Sequence, residues 1–376
     1  MTTFRRKGAL TAITVLICST ALTACGGSGL SATSEKAAKQ TSTTDLTALV
    51  KSAKSEGTLT IYTALQTDQM KGWTAAFTKK YGVKVKILRL SSATLGTTFQ
   101  TQQQARRNQA DLLETSNYSQ LQGFVQKKWI AKYTPQAADL YPSDRVVAGY
   151  MYPLLQSTGG IAWNTKVTPA SVQKKLAADP WNGLLDPSLK GKIVLISPSN
   201  GGSGMAYYAN LVYKLGDQYG WSYLEKLAKQ KPAITDSVAS ISQQISAGTY
   251  YATDFGEESI FGAAAVEGAP VQFSSLAEMN ATQFMQAIPS SAPHPAAARL
   301  WSEWTATLAG QEAMTKSAGG ESSAKGWTDN TSYANKFSWY KQVADPWVDW
   351  RTDPRLQGDN LQKFLARWNS VFGVRS

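Results

Sequence analysis

Histidine and cysteine are almost absent from this chain of 376 residues, which contains one histidine and two cysteines. The single imidazole, that of His294, excludes zinc hydrolases of the H-E-x-x-H type, which need two. The two cysteines, Cys18 and Cys25, are too few for a structural zinc site, and we expect neither a metal centre nor a cofactor. His294 stands between two prolines before a predicted helix, with no neighbouring nucleophile. This setting is typical of a residue at a helix entry.

Long apolar runs are also lacking, with one exception at the start of the chain. Residues 5–7 are basic and residues 8–24 are mostly apolar. No later stretch reaches the ~18 consecutive apolar residues that a membrane span needs. A basic start, a short apolar segment and small residues before a cleavage site are typical of a secretory signal peptide. We therefore expect an extracytoplasmic protein.

The end of this segment, L-T-A-C at residues 22–25, resembles the lipobox of bacterial lipoproteins. The resemblance implies removal of residues 1–24 as a signal peptide and a lipid on Cys25 that anchors the protein to the cell membrane. Cys18 would leave with the signal peptide, so the mature chain would have no thiol and no disulfide. An ordinary secreted protein and an uncleaved anchor are the alternatives.

Residues 25–44 are rich in glycine, serine, threonine and alanine and contain few large apolar side chains. Such a composition buries too little apolar surface to offset the entropy lost on ordering. It predicts a flexible tether, which would let a folded domain stand away from the membrane.

The net charge is +12 at neutral pH and becomes +9 without residues 1–24, which hold three basic residues and no acidic one. After this segment, lysine and arginine are scattered in runs no longer than two. There is no arginine-rich arm and no stacking-aromatic motif of the RNA-binding kind, so we expect no nucleic-acid partner. A moderately basic body suits a position over anionic lipids and envelope polymers.

The catalytic motifs that the sequence suggests are incomplete. G-G-S-G-M at 201–205 lacks the last glycine of the G-x-S-x-G nucleophile elbow. S-x-x-K occurs at 171–174 and 322–325, but the chain has no K-T-G. A secreted serine acylase is therefore a remote alternative, and we expect a binding protein that is not an enzyme.

After the tether, strand patterns alternate with helix patterns. Strand patterns lie at 58–65, 83–90, 110–113, 189–196, 233–234 and 249–255, and helix patterns at 45–56, 68–81, 93–107, 205–215, 221–229 and 237–246. This alternation predicts an α/β fold with mostly parallel sheets flanked by helices, whose ligands bind at the carboxyl ends of the strands. The last hundred residues are mostly helical in pattern and hold seven of the twelve tryptophans, which we expect in the core.

Three segments place small or hydroxyl residues between a predicted strand and a helix. Backbone N–H groups at a helix start lack partners and carry the positive end of the helix dipole, so anions bind there readily. Serine, threonine and aspartate are also the normal N-cap residues, and this interpretation stays open for each segment. The segments are Leu90-Ser91-Ser92-Ala93, Asn200-Gly-Gly-Ser-Gly204 and Ile234-Thr-Asp-Ser237.

Six short segments, in this order, resemble the ferric-ion type of bacterial extracellular solute-binding protein, the ligand-capturing subunit of ABC importers. The resemblance covers residues 57–309. The segments are E-G-T-L-T-I-Y-T at 56–63, F-T-K-K-Y-G-V-K-V at 77–85, L-R-L-S-S at 88–92, A-W-N-T-K at 162–166, L-D-P-S-L-K-G-K at 185–192 and A-P-H-P-A-A-A-R-L at 292–300.

The resemblance implies the type II periplasmic-binding-protein fold, in which two α/β lobes hold a small-molecule ligand in the cleft between them. We expect lobe one at residues 45–157 and 275–376 and lobe two at residues 158–274. Closure of the lobes would be a hinge motion that excludes water. The ABC permease subunits in the membrane would recognise the closed form, and we expect the protein to be a monomer.

The ferric ligand set of the family is not kept here. Iron-binding members hold ferric ion with a histidine, a glutamate and a tyrosine pair, and the corresponding positions here are Gln66, Ser116 and Glu258-Ser259. A ferric ion prefers anionic oxygens, and of these residues only Glu258 supplies one. Capture of ferric iron or another metal is therefore the alternative function.

The anion contacts of the family are better kept. They correspond to Ser203-Gly204-Met205, to Asp236 and to Ser91-Ser92, which implies a small anionic organic ligand such as a sugar phosphate or a phosphonate. Asp254, Glu257 and Glu258 would suit an ammonium or hydroxyls at its far end, or would form a solvated acidic turn. The expected ligand-binding residues are Tyr62, Thr63, Ser91, Ser92, Ser203, Gly204, Met205, Asp236, Ser237, Glu257 and Glu258.

Overall fold

The computed structural model describes residues 45–200, 202–276, 281–342 and 353–374. These residues belong to one compact unit, Thr43–Ser376. The expected signal peptide, the lipidation site Cys25 and the tether up to residue 44 lie outside the described residues. Within the described ranges, none of the helices combines the length and the hydropathy that a membrane span requires.

Helices and strands alternate along most of the chain, as the periodicity predicts. The helices are α1 Leu46–Glu56, α2 Thr67–Tyr81, α3 Ser92–Gln104, α4 Tyr118–Gln126, α5 Ala170–Ala178, α6 Pro180–Gly183, α7 Ser203–Ala209, α8 Gly216–Tyr219, α9 Trp221–Ala228, α10 Val238–Ser246, α11 Glu258–Val266, α12 Pro295–Ala306, α13 Leu308–Ala318 and α14 Gly358–Phe372. The strands are β1 Thr58–Thr63, β2 Lys84–Arg89, β3 Leu112–Thr115, β4 Met151–Asn164, β5 Ile193–Ile196, β6 Ala233–Thr235, β7 Ala252–Glu257, β8 Val271–Ser275 and β9 Ala281–Ala287.

Capping residues at their ends determine where the first two helices begin and end. The Asp45 carboxylate accepts hydrogen bonds from the N–H groups of Thr47 and Ala48, as an N-cap does. At the C-terminal end of α2, Gly82 adopts a left-handed conformation with a φ of 70°, which glycine takes without steric cost. The predicted helix boundaries in this region are therefore accurate to within a few residues.

The strands form a sheet in the order β2-β1-β3-β9-β4-β7-β5-β6, and β8 pairs with β4. The pairs of β1 with β2 and β3, and of β5 with β6 and β7, are parallel. The pairs of β3 with β9, and of β4 with β7, β8 and β9, are antiparallel. The α/β class is confirmed. The sheet is mixed rather than mostly parallel, because β4 and β9 in its middle pair antiparallel with their neighbours.

Strand β4 is shared by the two halves of the sheet. Its first part, up to Thr158, pairs with β9, whereas its second part, from Gly159, pairs with β7 and β8. One half of the sheet therefore carries β1, β2 and β3, and the other carries β5, β6 and β7. The chain has two α/β lobes that are joined at this strand.

Each lobe has its own aromatic core. In the first, the ring centroids of Trp73 and Trp301 lie 4.7 Å apart, and Phe77 lies 5.0 Å from Trp301. In the second, Trp368 packs on Tyr208 at 5.2 Å. The expectation that the late tryptophans lie in the core is confirmed for Trp301, Trp304 and Trp368, which are buried. Of the others, Trp327 and Trp339 are partly exposed, and Trp347 and Trp350 lie outside the described residues.

The interpretation of His294 as a helix-entry residue is confirmed. It occupies the N-cap position of α12. Its backbone N–H donates to one oxygen of Asp111 at 2.6 Å, and its ring Nδ1 lies 2.9 Å from the other. The Asp111 carboxylate also accepts from the backbone N–H of Thr60 at 2.7 Å, so it ties β1 to the start of α12.

We expect Trp301→Phe to lower the free energy of unfolding by about 1–3 kcal/mol, measured by urea denaturation. The indole N–H of Trp301 donates to the fully buried Glu114 at 3.0 Å, and phenylalanine removes this donor as well as ring volume. Trp221→Phe is the matched control, because Trp221 is partly exposed, and we expect it to cost less than about 1 kcal/mol. An equal loss in both variants would contradict a special role of the Trp301–Glu114 bond.

Candidate functional site

Residues that follow six strand ends come together in one cleft between the lobes. Because β1, β2 and β3 run parallel, as do β5, β6 and β7, their carboxyl ends meet at one edge of each half-sheet. The cleft encloses a cavity of about 40 Å³, which is room for a few water molecules. It is lined by Ala64, Leu65, Gln66, Gln69, Arg89, Ser91, Ser92, Ser116, Ser203, Asp236, Ser237, Val238, Glu257, Ser259, Ile260 and Phe284.

Arg89 is the cation among these lining residues, and sequence reasoning missed it. It is the last residue of β2, two positions before Ser91, and its Nε is buried without a hydrogen-bond partner. Burial lowers the pKa of its guanidinium, although arginine stays charged at neutral pH. A half-buried guanidinium whose Nε lacks a partner favours binding of an anion in the cleft. The signal that could have found it is a basic residue at a strand end directly before two serines.

Six serines line the cleft together with Arg89, and the N-cap interpretation is confirmed for two of them. Ser91 accepts from the N–H of Thr94 at 3.2 Å and caps α3, and Ser237 accepts from the N–H of Ser240 at 3.3 Å and caps α10. A capping hydroxyl keeps a lone pair and lies among the unpaired N–H groups of its helix start. Capping and ligand binding are therefore compatible here.

The two lobes meet at Gly202, directly before α7. A Cβ at this position would lie 2.2 Å from the Oγ of Ser116 and 3.4 Å from the Oγ of Ser92, both in lobe one. These two hydroxyls lie 3.2 Å apart and form a hydrogen bond with each other. The chain is therefore in a closed arrangement, in which a glycine lets the backbone of lobe two approach the hydroxyls of lobe one.

Glu257 brings a buried carboxyl group to the cleft. It ends β7 opposite Gly159 of β4, is 2% exposed, and its Oε1 has no hydrogen-bond partner. Burial raises its pKa to about 8. At neutral pH, this side chain can donate a proton to a hydrogen bond or, when ionised, accept one.

Glu258 and Asp254 do not line the cleft, although the sequence suggested both for the ligand. The Glu258 carboxyl accepts hydrogen bonds from the hydroxyls of Tyr333 and, at 3.4 Å, Thr158. Burial and the neighbouring Glu321 raise its pKa well above the usual range. Asp254 accepts from the Tyr208 hydroxyl at 3.0 Å, and burial raises its pKa to about 8. Both carboxyl groups have partners within the protein interior, so neither forms a solvated acidic turn.

The structure brings Ser91, Ser92, Ser203, Asp236, Ser237 and Glu257 together, but not the other expected residues. Tyr62, Thr63, Gly204 and Met205 are buried and are not among the residues that line the cleft. Tyr62 points into the lobe-one core and bonds Gln102, and Met205 packs in the lobe-two core. These positions face the interior of their own lobe rather than the cleft.

The carboxylates of the cleft are few and do not form a metal cluster. Gln66 and Ser116, which stand where the iron-binding family has charged or imidazole ligands, both line the cleft with neutral side chains. The acids that line it are Asp236 and Glu257. In the described part of the chain, no group of three or more histidine, cysteine, aspartate or glutamate side chains is arranged to hold a metal ion.

The family model of the bacterial extracellular solute-binding proteins matches residues 63–312, which is more than half of the chain. No curated protein matches the sequence.

Several solved structures have a similar fold. The periplasmic binding protein AfuA from Actinobacillus pleuropneumoniae, with exogenous fructose-6-phosphate bound, has a TM-score of 0.67 at 18% identity and covers 85% of this chain and 99% of its own. Iron-bound HitA from Pseudomonas aeruginosa has a TM-score of 0.62 at 18% identity, covering 84% and 99%. The ferric binding protein from Campylobacter jejuni has a TM-score of 0.64 at 14% identity, covering 83% and 99%.

At these identities the likeness to solved structures concerns the fold, whereas the family follows from the sequence match. The chain therefore belongs to the bacterial extracellular solute-binding proteins, the family of solute-binding subunits of ABC importers, and it has the two-lobed type II periplasmic-binding-protein fold.

Proposed function

We propose that the protein captures a small anionic organic solute, such as a sugar phosphate or a phosphonate, by closing its lobes and delivers it to the permease of an ABC importer. The observation that carries this proposal is the buried, unpartnered Nε of Arg89 in a cleft lined by serine hydroxyls. We place lobe one at residues 45–157 and in the first part of 275–376, and lobe two at residues 158–274. The expected assignment of the whole of 275–376 to lobe one is wrong for α14, because Phe364 and Trp368 pack in the core of lobe two. The change in the partners of β4 after Thr158 supports the first of these boundaries.

The donors of the cleft suit a tetrahedral anion. A guanidinium can donate two parallel hydrogen bonds to a phosphate or phosphonate group, and hydroxyl and helix-start N–H groups add further donors. The serines come from both lobes: Ser91, Ser92 and Ser116 from lobe one, and Ser203, Ser237 and Ser259 from lobe two. An anion that bonds to both sets would stabilise the closed form, because it binds that form better than the open one.

The remaining polar groups of the cleft suit the uncharged or cationic part of an organic ligand. Gln66, Asp236 and Glu257 supply amide and carboxyl groups that can bond hydroxyls or an ammonium. Bare inorganic anions would leave these groups without partners. This composition favours an organic phosphate or phosphonate over a simple ion.

Capture of ferric iron is the second candidate, since two of the similar structures are iron-binding proteins. A hard ferric ion prefers several anionic oxygens, and this cleft offers only Asp236 and Glu257. A titration with ferric citrate that gives a coloured complex, together with no response to organic phosphates, would favour iron.

We also propose that a lipid on Cys25 holds the protein at the outer face of the cell membrane, with residues 25–44 as the tether and with the folded unit as a monomer. The family is extracellular and binds solutes rather than transforming them, which agrees with these expectations. Mass spectrometry of the N-terminal peptide from cells, with Cys25→Ser as control, would detect or exclude the lipid.

We expect Arg89→Gln to weaken the binding of glucose 6-phosphate by about 1.5–3 kcal/mol, measured by isothermal titration calorimetry, because it removes a charged hydrogen-bond donor. Arg107→Gln is the matched control, since Arg107 is exposed after α3 and does not line the cleft. Equal affinity in the wild-type protein and Arg89→Gln would contradict the proposed site.

We expect Gly202→Ala to weaken the binding of glucose 6-phosphate, because it opens the contact between the lobes. The new Cβ would overlap the Ser116 hydroxyl, and such overpacking costs about 1–3 kcal/mol. Gly216→Ala is the control, because a Cβ there meets nothing within 4 Å. If small-angle scattering and calorimetry do not distinguish the two variants, closure does not depend on Gly202.

We expect affinity for the phosphate to fall as the pH rises through about 8, where Glu257 ionises and repels the anion. The raised pKa also links Glu257 to folding: its stabilising effect is full below its ordinary pKa of 4.5 and is lost progressively as the pH approaches 8. Glu257→Gln should therefore flatten the affinity profile and reduce the decline in melting temperature between about pH 5 and pH 9. The same pH profile in the variant as in the wild-type protein would rule out Glu257 as the titrating group.

A further inference from the structure

The cleft continues into a second space that the proposed anion site does not use. This groove has a volume of about 430 Å³. It joins the cleft at four residues that line both spaces, namely Gln66, Gln69, Ser259 and Ile260. The two spaces are therefore adjacent, and a ligand that spans both would pass these four residues.

Two helices of lobe two form the walls of the groove. On α10 the lining residues are Ala239, Ser242, Gln243 and Ser246, and on α11 they are Ile260, Ala263, Ala264 and Glu267. Both sets follow the spacing i, i+3, i+4, i+7, so each is one continuous face of its helix. Five of these eight side chains are alanine or serine, which leaves room between the helices.

The start of α2, in lobe one, closes the third side of the groove. Gln69 is fixed there, because its amide donates to the carbonyl of Ala318 at 2.7 Å and accepts from the N–H of Gln66 at 2.9 Å. The junction between cleft and groove is therefore rigid on the side of lobe one. On the side of lobe two, the junction is lined by Ser259, which lies two residues after Glu257.

The groove differs from the cleft in charge. Its lining residues include no lysine or arginine, and its two charged residues, Asp68 and Glu267, are exposed at the rim. Amide and hydroxyl groups alternate with alanines along its walls. Such a surface repels an anion, bonds hydroxyl groups and packs against the C–H faces of a sugar or polyol.

A second observation indicates that a ligand passes this junction. Glu257 is 2% exposed, and its Oε1 has no partner in the protein, although it lies in the part of the cleft next to Ser259. A buried polar atom without a partner costs free energy. A hydroxyl of a ligand at the boundary between cleft and groove would remove that cost.

We propose that the solute has two parts: an anionic head that binds in the cleft, and an uncharged, hydroxylated tail that binds in the groove between α10 and α11. This inference rests on the proposed function, and it narrows the ligand class from small organic anions to extended ones such as phosphorylated disaccharides. Neither inorganic phosphate nor a ferric ion would use the groove.

The test is isothermal titration calorimetry with probes that share the head and differ in the tail: inorganic phosphate, glycerol 3-phosphate, glucose 6-phosphate, trehalose 6-phosphate and sucrose 6-phosphate. We expect at least one disaccharide phosphate to bind about tenfold or more tightly than glucose 6-phosphate, because only a second ring reaches the groove. Disaccharide phosphates that bind no better than glucose 6-phosphate would overturn the inference and leave the proposed function in place. Failure of every phosphate to bind would overturn both.

Variants that fill the groove test the position of the tail. Ala263→Trp fills it from α11 and Gln243→Trp from α10, and each should abolish the tenfold advantage while leaving the affinity for glucose 6-phosphate unchanged. Ala247→Trp is the matched control, because Ala247 is exposed at the end of α10 and does not line the groove. The inference fails if both groove variants retain the advantage, or if they weaken all phosphates equally.

Discussion

The architecture depends on the hydrogen-bonded ladders of a single long strand. Strand β4 pairs with β9 up to Thr158 and then with β7 and β8 from Gly159 onwards. Since each ladder fixes the direction of the strands beside it, this exchange of partners orients the strand ends of both lobes toward one cleft. Gly160 makes the crowded second part possible, because a Cβ there would lie 2.3 Å from the carbonyl oxygen of Ser274.

Two neighbouring acidic residues, Glu257 and Glu258, lie beside the point where β4 changes partners, and their side chains have different surroundings. Thr158 and Tyr333 donate to Glu258, and the N–H of Ser259 donates to Ser157 at 3.0 Å. Glu258, the first residue of α11, thus connects this helix to the crossing strand and to Tyr333. The preceding residue, Glu257, faces the cleft, because successive side chains of an extended chain point to opposite sides. The residue that faces the cleft and the residue that bonds the crossing strand are therefore neighbours in sequence.

The sequence predicted most elements that carry the site. Helices α1, α2 and α10 begin within a few residues of the predicted positions, since their apolar spacing and N-caps are local signals. The serines after β2 and β6 were identified for the same reason. Tyr62 and Met205 were misplaced, because no local pattern tells whether a residue at the end of an element faces the core or the cleft. Arg89 was missed because a single basic residue in an alternating strand resembles any exposed strand position.

Periodicity, capping residues and composition by themselves determined the α/β class, the alternation of elements and the places where helices start with unpaired N–H groups, since each of these depends on residues close together in the chain. The tertiary structure alone decided which of these starts share a cleft and that Gly202 lies against Ser116. It also decided that the Nε of Arg89 and the Oε1 of Glu257 lie buried without partners. The shared cleft and the contact at Gly202 depend on the pairing of strands that are far apart in sequence. The burial of a polar atom depends on what packs around it in space rather than on its neighbours in the chain.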